Sequence, residues 1–164
     1  MKKVLKYSGI ISLILIAVAF ILMMASNALK VSGILGDYSI AGTTAIFGHK
    51  STGALDPSYD LAVMALLAWI LVLLGILCVV AGFVLPLLKI DKFAGLLNIC
   101  AVVCFVLGGI FMFFVVPSFA NANYNGTTDG VAIGVGWVFA AIFAIAAGVF
   151  AILPAAMDFI GKKK

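Results

Sequence analysis

The sequence predicts an all-α membrane protein: a four-helix transmembrane bundle carrying a small extracytoplasmic β-hairpin or sheet, in one domain over residues 1–164. Three observations lead there. Hydrophobic residues make up 66% of the chain and charged ones 10%, against roughly half and a quarter in soluble domains. Four uncharged apolar runs reach the ~20 residues that cross ~30 Å of hydrocarbon as helix. The lysines cluster at alternate ends of those runs.

The first run extends from Tyr7 to about Ala28, behind Lys2, Lys3 and Lys6. Basic residues before an apolar stretch also describe a secretory leader, and Ser26-Asn27-Ala28 resembles a cleavage site. The apolar stretch from Ser8 to Ala25 is longer than the usual core of a leader, so a retained helix is expected. The second run covers Leu61 to Leu88, and the third covers Phe93 to Val116 and stops at Pro117. The fourth covers Val131 to Met157, with Pro154 loosening its last turn. Four such lengths in one short chain are not compatible with a water-soluble fold.

Threading these runs through a bilayer puts Lys2, Lys3, Lys6, Lys89, Lys92, Lys162, Lys163 and Lys164 on one side and only Lys30 and Lys50 on the other. That asymmetry places both termini in the cytoplasm and residues 29–60 and 117–130 outside, in a cell (plasma) membrane. Asp91 and Asp158 join the inner lysines, giving +6. Asp37, Asp56, Asp60 and Asp129 face Lys30 and Lys50, giving −2, which together make the net charge of +4. The charge is thereby explained as orientation and contact with anionic headgroups. With no Arg in the chain, a nucleic-acid partner is not expected.

Between the second and third runs lie only Lys89 to Lys92, so those helices pair antiparallel. The first outer loop mixes β-branched and aromatic residues with glycines, and a Gly36-Asp37 turn predicts a hairpin over the helix ends. The second contains Asn125-Gly126, a hairpin signal, and is expected to add a strand to the same sheet. Asn125-Gly126-Thr127 is also a glycosylation sequon, relevant only in a eukaryotic secretory pathway.

Close packing at small residues is what holds helices together in lipid. The fourth run carries Gly136, Ala140, Ala144 and Gly148 on one stripe. The second carries Ala68, Gly75 and Gly82, and the third Ala94, Ala101 and Gly108. These stripes are expected either to pack inside one bundle or, on the fourth run above all, to meet a partner helix. Trp69 and Trp137 are read as lipid anchors at the outer interface.

The chemistry for an enzyme is missing from the sequence. No ionisable residue lies in the middle of any run, which argues against proton- or sodium-coupled transport. Asn98 is the one strongly polar intramembrane side chain, read as an interhelical hydrogen bond, with the weaker Ser12. Cys100 and Cys104 share a helix face, but no His or carboxylate is near in sequence to complete a metal site, so with Cys78 they are expected to fill helix contacts. The lone His49, with Asp37, Asp56 or Asp60, could hold a metal outside only if the loop gathers them. No catalytic residue, metal or cofactor is expected.

Four spans with a longer β-prone first loop and a shorter second one resemble the claudin-like tetraspan arrangement in topology. The Trp and Cys signature of claudin first loops is absent here. The chain also looks like uncharacterised small four-span bacterial membrane proteins with a segment like Ala45-Ile46-Phe47-Gly48. The resulting expectation is a non-enzymatic membrane protein acting by association, as an oligomer-forming or accessory subunit. Its partners would be the lipid bilayer and copies of itself or another membrane protein, with Tyr38, Phe47 and His49 as outer-loop contacts. The alternative is a channel or exporter for a small neutral or apolar solute.

Overall fold

Within hydrocarbon every backbone N–H and C=O must be satisfied inside its own segment, which leaves the helix as the only solution for each apolar run. The computed structural model describes residues 2–33, 36–53, 57–87 and 93–160. In chain order it contains α1 (Lys2–Ala25), β1 (Asn27–Gly33), β2 (Gly36–Ala41), α2 (Gly42–Phe47), α3 (Val63–Leu87), α4 (Ala94–Phe113), α5 (Val115–Asn123), β3 (Val131–Ile133) and α6 (Val135–Ile160). The stretches Tyr7–Ala25, Val63–Leu85, Ala94–Phe113 and Val135–Leu153 are each long and apolar enough to cross a membrane. The architecture is a four-helix bundle of the multi-pass membrane type with a small antiparallel sheet at one end.

That sheet has the order β2-β1-β3. In the hairpin, Lys30 faces Ser39 and Gly33 faces Gly36, with a register irregularity between Asn27 and Leu29. On its other edge β1 pairs with β3, Leu29 opposite Ile133 and Val31 opposite Val131. A third strand does join the sheet, but it comes from residues 131–133 at the start of the fourth run and not from 117–130, where it was expected. The turn does not fall at Gly36-Asp37. Asp37 is already paired with Ser32, and residues 34–35, which connect the strands, lie outside the described residues.

Several boundaries differ from the sequence expectation. α1 stops at Ala25 rather than Ala28 because residues 27–33 are drawn into the sheet as β1; the Ser26 N–H makes the last helical bond, to the Leu22 carbonyl at 3.0 Å, and its hydroxyl donates to the same carbonyl at 2.6 Å. Pro117 does not end the third helix. Phe114 breaks it, and Pro117 sits in the first turn of α5, where a missing N–H costs no intrahelical bond. Asn125-Gly126 makes no hairpin either. With φ of 50° and 84° the pair ends α5: Tyr124 and Gly126 both donate their N–H to the Ala120 carbonyl, the left-handed helix stop. α6 begins only at Val135 because residues 131–133 are drawn into the sheet, and it runs through Pro154 to Ile160.

In the bundle α1 packs along α6, α6 along α4, and α4 along α3, whereas α1 and α3 scarcely touch. The row of helices therefore leaves a seam between α1 and α3. α2 contacts both helices at the sheet end of that seam, burying Ala45 and Ile46 completely. The start of α1 and the end of α6 lie at the end away from the sheet.

Candidate functional site

Three regions hold the residues able to act on something outside the chain: the sheet end, the interhelix stripes and the far half of the seam.

At the sheet end, a set of specific hydrogen bonds replaces loose apolar contact. A helix leaves its last carbonyls without intrahelical donors. Here the Trp137 indole N–H donates to the Met23 carbonyl of α1 at 3.1 Å, and the Gly42 N–H donates to Ser26 O at 2.9 Å. The start of α3 is held in the complementary way. Ser118 Oγ accepts the Met64 N–H at 3.1 Å. Asn123 takes the Asp60 N–H at 2.7 Å and returns an N–H to the Asp60 carbonyl at 3.0 Å. Two glycines make this closeness possible: a Cβ on Gly134 would overlap the Asn27 carbonyl, and one on Gly42 the Met23 carbonyl. Trp137 is fully buried, so it is a structural donor and not a lipid anchor. Trp69 is half-buried, its ring edge-to-face with Phe47 at 5.1 Å, and its buried N–H has no partner among the described residues.

The outer-loop residues singled out from sequence all reach the surface. Tyr38 is exposed and its hydroxyl is 2.8 Å from that of Tyr124. Burial first, and this hydrogen bond second, push the Tyr124 phenol above the ordinary tyrosine range. Phe47 is half exposed on α2. His49 is exposed and paired through its backbone with Tyr59, at 2.7 Å in each direction. Among the described residues no three His, Cys or acidic side chains gather closely enough to hold a metal ion. Asp56 lies outside them.

The small-residue stripes are occupied within the chain. A Cβ on Gly148 would stand 2.8 Å from Val106 and 3.3 Å from the Val102 carbonyl, both on α4, and one on Gly136 would overlap Ser26. Ala140 and Ala144 between them are fully buried. Gly75 lies under the Phe105 ring, Gly108 meets Val72 and the Ala68 carbonyl, and Gly82 faces Asn98. Ala68, Ala94 and Ala101 are buried as well. The stripe on α6 therefore serves α1 and α4, and partner contact has to be sought elsewhere.

The far half of the seam is different. A cavity of about 70 Å³ is lined by Gly9, Ser12, Val79, Gly82, Phe83, Asn98 and Ala151, so residues from all four spanning helices contribute. Ser12 is buried and its hydroxyl donates to the Ala147 carbonyl at 2.7 Å. Asn98 thus faces a void as well as a neighbouring helix, which the sequence reading did not foresee. A polar residue on each of two spans, Ser12 and Asn98, at similar distance from the terminal ends, is the signal that could have found it.

All three cysteines also converge. Cys100 and Cys104 sulfurs are 4.0 Å apart, and the Cys78 thiol on α3 lies near enough to Cys100 to interact with it across the α3–α4 contact. Sequence spacing showed only the pair on one helix. The antiparallel packing of α3 on α4, with Gly75 against Phe105 and Gly82 against Asn98, also brings position 78 to the level of position 100. Cys104 is buried, Cys78 is partly buried and Cys100 is exposed, and the three are not grouped so as to hold a metal ion.

Compared with known proteins, the chain matches no family model and no curated protein.

Proposed function

We propose that this chain acts by association, as a non-enzymatic, oligomer-forming or accessory subunit of a membrane complex, with the sheet end outside the cell and the lysine-bearing termini in the cytoplasm. One observation carries the reading: the helix stripes are consumed internally, while the sheet end presents a braced platform with a β2 edge that no strand among the described residues pairs with, and exposed Tyr38 and Phe47. A strand edge is a ready template for a second strand, and aromatic residues supply contact area with little entropy to lose. The spans supply no ionisable chemistry with which to act otherwise.

The test is photocrosslinking in native membranes with a reactive residue at position 38 or 47, together with mass measurement in nanodiscs. Specific adducts from these positions, and none from lipid-facing Leu77, are expected. A monomer in nanodiscs with no adduct at either position would refute the association reading.

A second reading, passage of a small neutral solute, is favoured by the cavity beside Asn98. Against it, the sheet half of the bundle is filled by Phe105, Met112, Trp137 and Val72, all fully buried. Solute flux into proteoliposomes above that of empty vesicles would support it. Flux equal to the empty vesicles would remove it.

A further inference from the structure

A groove between α3 and α5 lies where two spanning helices end. Val63 and Met64 open α3, and Phe114 separates α4 from α5. One wall is thus the first turn of one span, and the other stands just beyond the last turn of the next. The groove holds about 520 Å³, within the range of small-molecule sites. Val63 and Phe114 are each more than half exposed, so it opens sideways past them. The α4 span of 20 residues covers about 30 Å as helix, the thickness of the hydrocarbon. Its sheet end at Phe113 therefore marks the level at which acyl chains give way to ester groups.

The lining presents two kinds of surface. Val63, Met64, Phe114, Pro117 and Ala122 offer carbon, which gains by leaving water. Ser118 and Asn121 stand one helical turn apart on the same face of α5, and both have hydrogens to give. The Ser118 oxygen accepts the Met64 N–H at 3.1 Å, while no acceptor among the described residues takes the hydroxyl proton. The Asn121 carboxamide is on the exposed surface. It has no hydrogen-bond partner among the described residues and keeps two N–H donors. No ionisable side chain among the described residues lines the groove. A sugar would leave the carbon wall unmatched, and a plain hydrocarbon would leave both donors unmatched. An ester-linked lipid supplies both counterparts: a chain for the carbon, and two carbonyl acceptors side by side on one glycerol for the two donors.

We infer that this groove binds a glycerolipid from the leaflet on the sheet side, its ester carbonyls on Ser118 and Asn121 and one acyl chain descending past Phe114. The inference stands apart from the association reading, because it needs neither the β2 edge nor a particular side of the membrane for the sheet.

The experiment compares dioleoylphosphatidylcholine with its diether analogue, which has the same chains and headgroup but no ester carbonyl. The whole chain in mild detergent is given both lipids in equal amounts, and native mass spectrometry reads which one stays bound. The diester is expected to be retained about tenfold over the diether, the worth of one to two hydrogen bonds. Asn121→Ala should bring that ratio down to about threefold. Ala122→Trp fills the groove and removes no polar group, and it should abolish the preference. Both positions are exposed, and far-UV circular dichroism verifies that each variant is folded. Should Ala122→Trp fail to fold, Val63→Trp takes its place. In nanodiscs, the diester lipid carrying a diazirine high on one chain should label Val63–Met64 and Phe114–Ala122 in preference to other lipid-facing surfaces. Equal retention of diester and diether overturns the inference, as does an unchanged ratio in the folded groove-filling variant or label spread evenly over the spans. None of these outcomes bears on crosslinking at Tyr38 or Phe47, so the two readings fail separately.

Discussion

The two halves of the bundle are built on different principles. At the sheet end, helix termini, loop backbone and strands are tied by directional bonds: Trp137 to Met23, Ser118 to Met64, Asn123 to Asp60. Glycines there sit against carbonyl oxygens of other segments. In the terminal half, the buried Ser12–Ala147 bond and the partnered side chains of Ser8 and Asn98 lie among mainly apolar contacts, and a cavity remains. The physical reason is that helix ends carry orphan N–H and C=O groups and helix middles do not. A protein whose chemistry is confined to its ends is therefore specific at its ends and permissive along its length.

The sharpest way to break this comparison is a single methyl group placed in each half. Gly134→Ala drives a Cβ into the Asn27 carbonyl, which belongs to backbone and cannot rotate away. A loss of roughly 3 kcal/mol or more is expected, at the severe end of overpacking. Gly9→Ala meets only the tip of the Phe83 ring, and a side chain that can swing aside should hold the cost below about 1 kcal/mol. Unfolding of the detergent-solubilised protein by dodecyl sulfate measures both. Equal losses would mean that the terminal half is as tightly specified as the sheet end.

Hydrogen bonds give the next contrast. Trp137→Phe leaves the Met23 carbonyl without its indole donor at a helix end and should cost about 1–3 kcal/mol. Ser12→Ala removes a bond to a carbonyl inside α6 that keeps its helical partner, and about 0.6 kcal/mol is expected, as for interhelical bonds in membranes generally. Asn123→Ala is smaller again in global terms, under about 1 kcal/mol, because its bonds to Asp60 lie at the exposed surface. Its effect should be local. Amide exchange at Asp60 should accelerate in the variant while exchange in α4 stays unchanged.

The same division governs what was legible in the sequence. Four spans and the β1-β2 hairpin could be read directly, since run length, lysine position and β-branched clusters are each local signals, whereas the third strand came from 131–133 and not from the loop expected to supply it. The small-residue stripes were also visible, but their partners were not. Nothing in the spacing of Gly136 and Gly148 says that Ser26 and Val106 occupy those faces. Trp137 was misread for a related reason. Its depth suggested an interface anchor, yet the acceptor that buries it, Met23, lies 114 residues away in sequence. Turn signals were present but served another purpose. Asn125-Gly126 supplied the left-handed backbone that its composition promises, and the fold used it to stop α5. The cavity depends on a seam that arises because α1 pairs with α6 and not with α3, and helix order is absent from any single run.

The smallest effect expected is a titration. Tyr124 lies beneath the sheet with its phenol hydrogen-bonded to Tyr38, and burial is the larger cause holding its proton on. The folded state therefore keeps the neutral phenol beyond the pH at which an unfolded tyrosine ionises, near 10. The sign follows from proton linkage: the stabilisation is complete below that pH and is lost as pH rises from there toward the folded value. Phenolate absorbance should show Tyr124 ionising later than an unfolded tyrosine, and Tyr124→Phe identifies its step. Tyr38→Phe should bring that step only part of the way back, because burial remains when the hydrogen bond is gone. A complete return would assign the shift to the hydroxyl pair alone, and the second loop would then be less firmly packed beneath the sheet than Phe119 and Tyr59, both within 6 Å of one another's or Tyr124's ring, indicate.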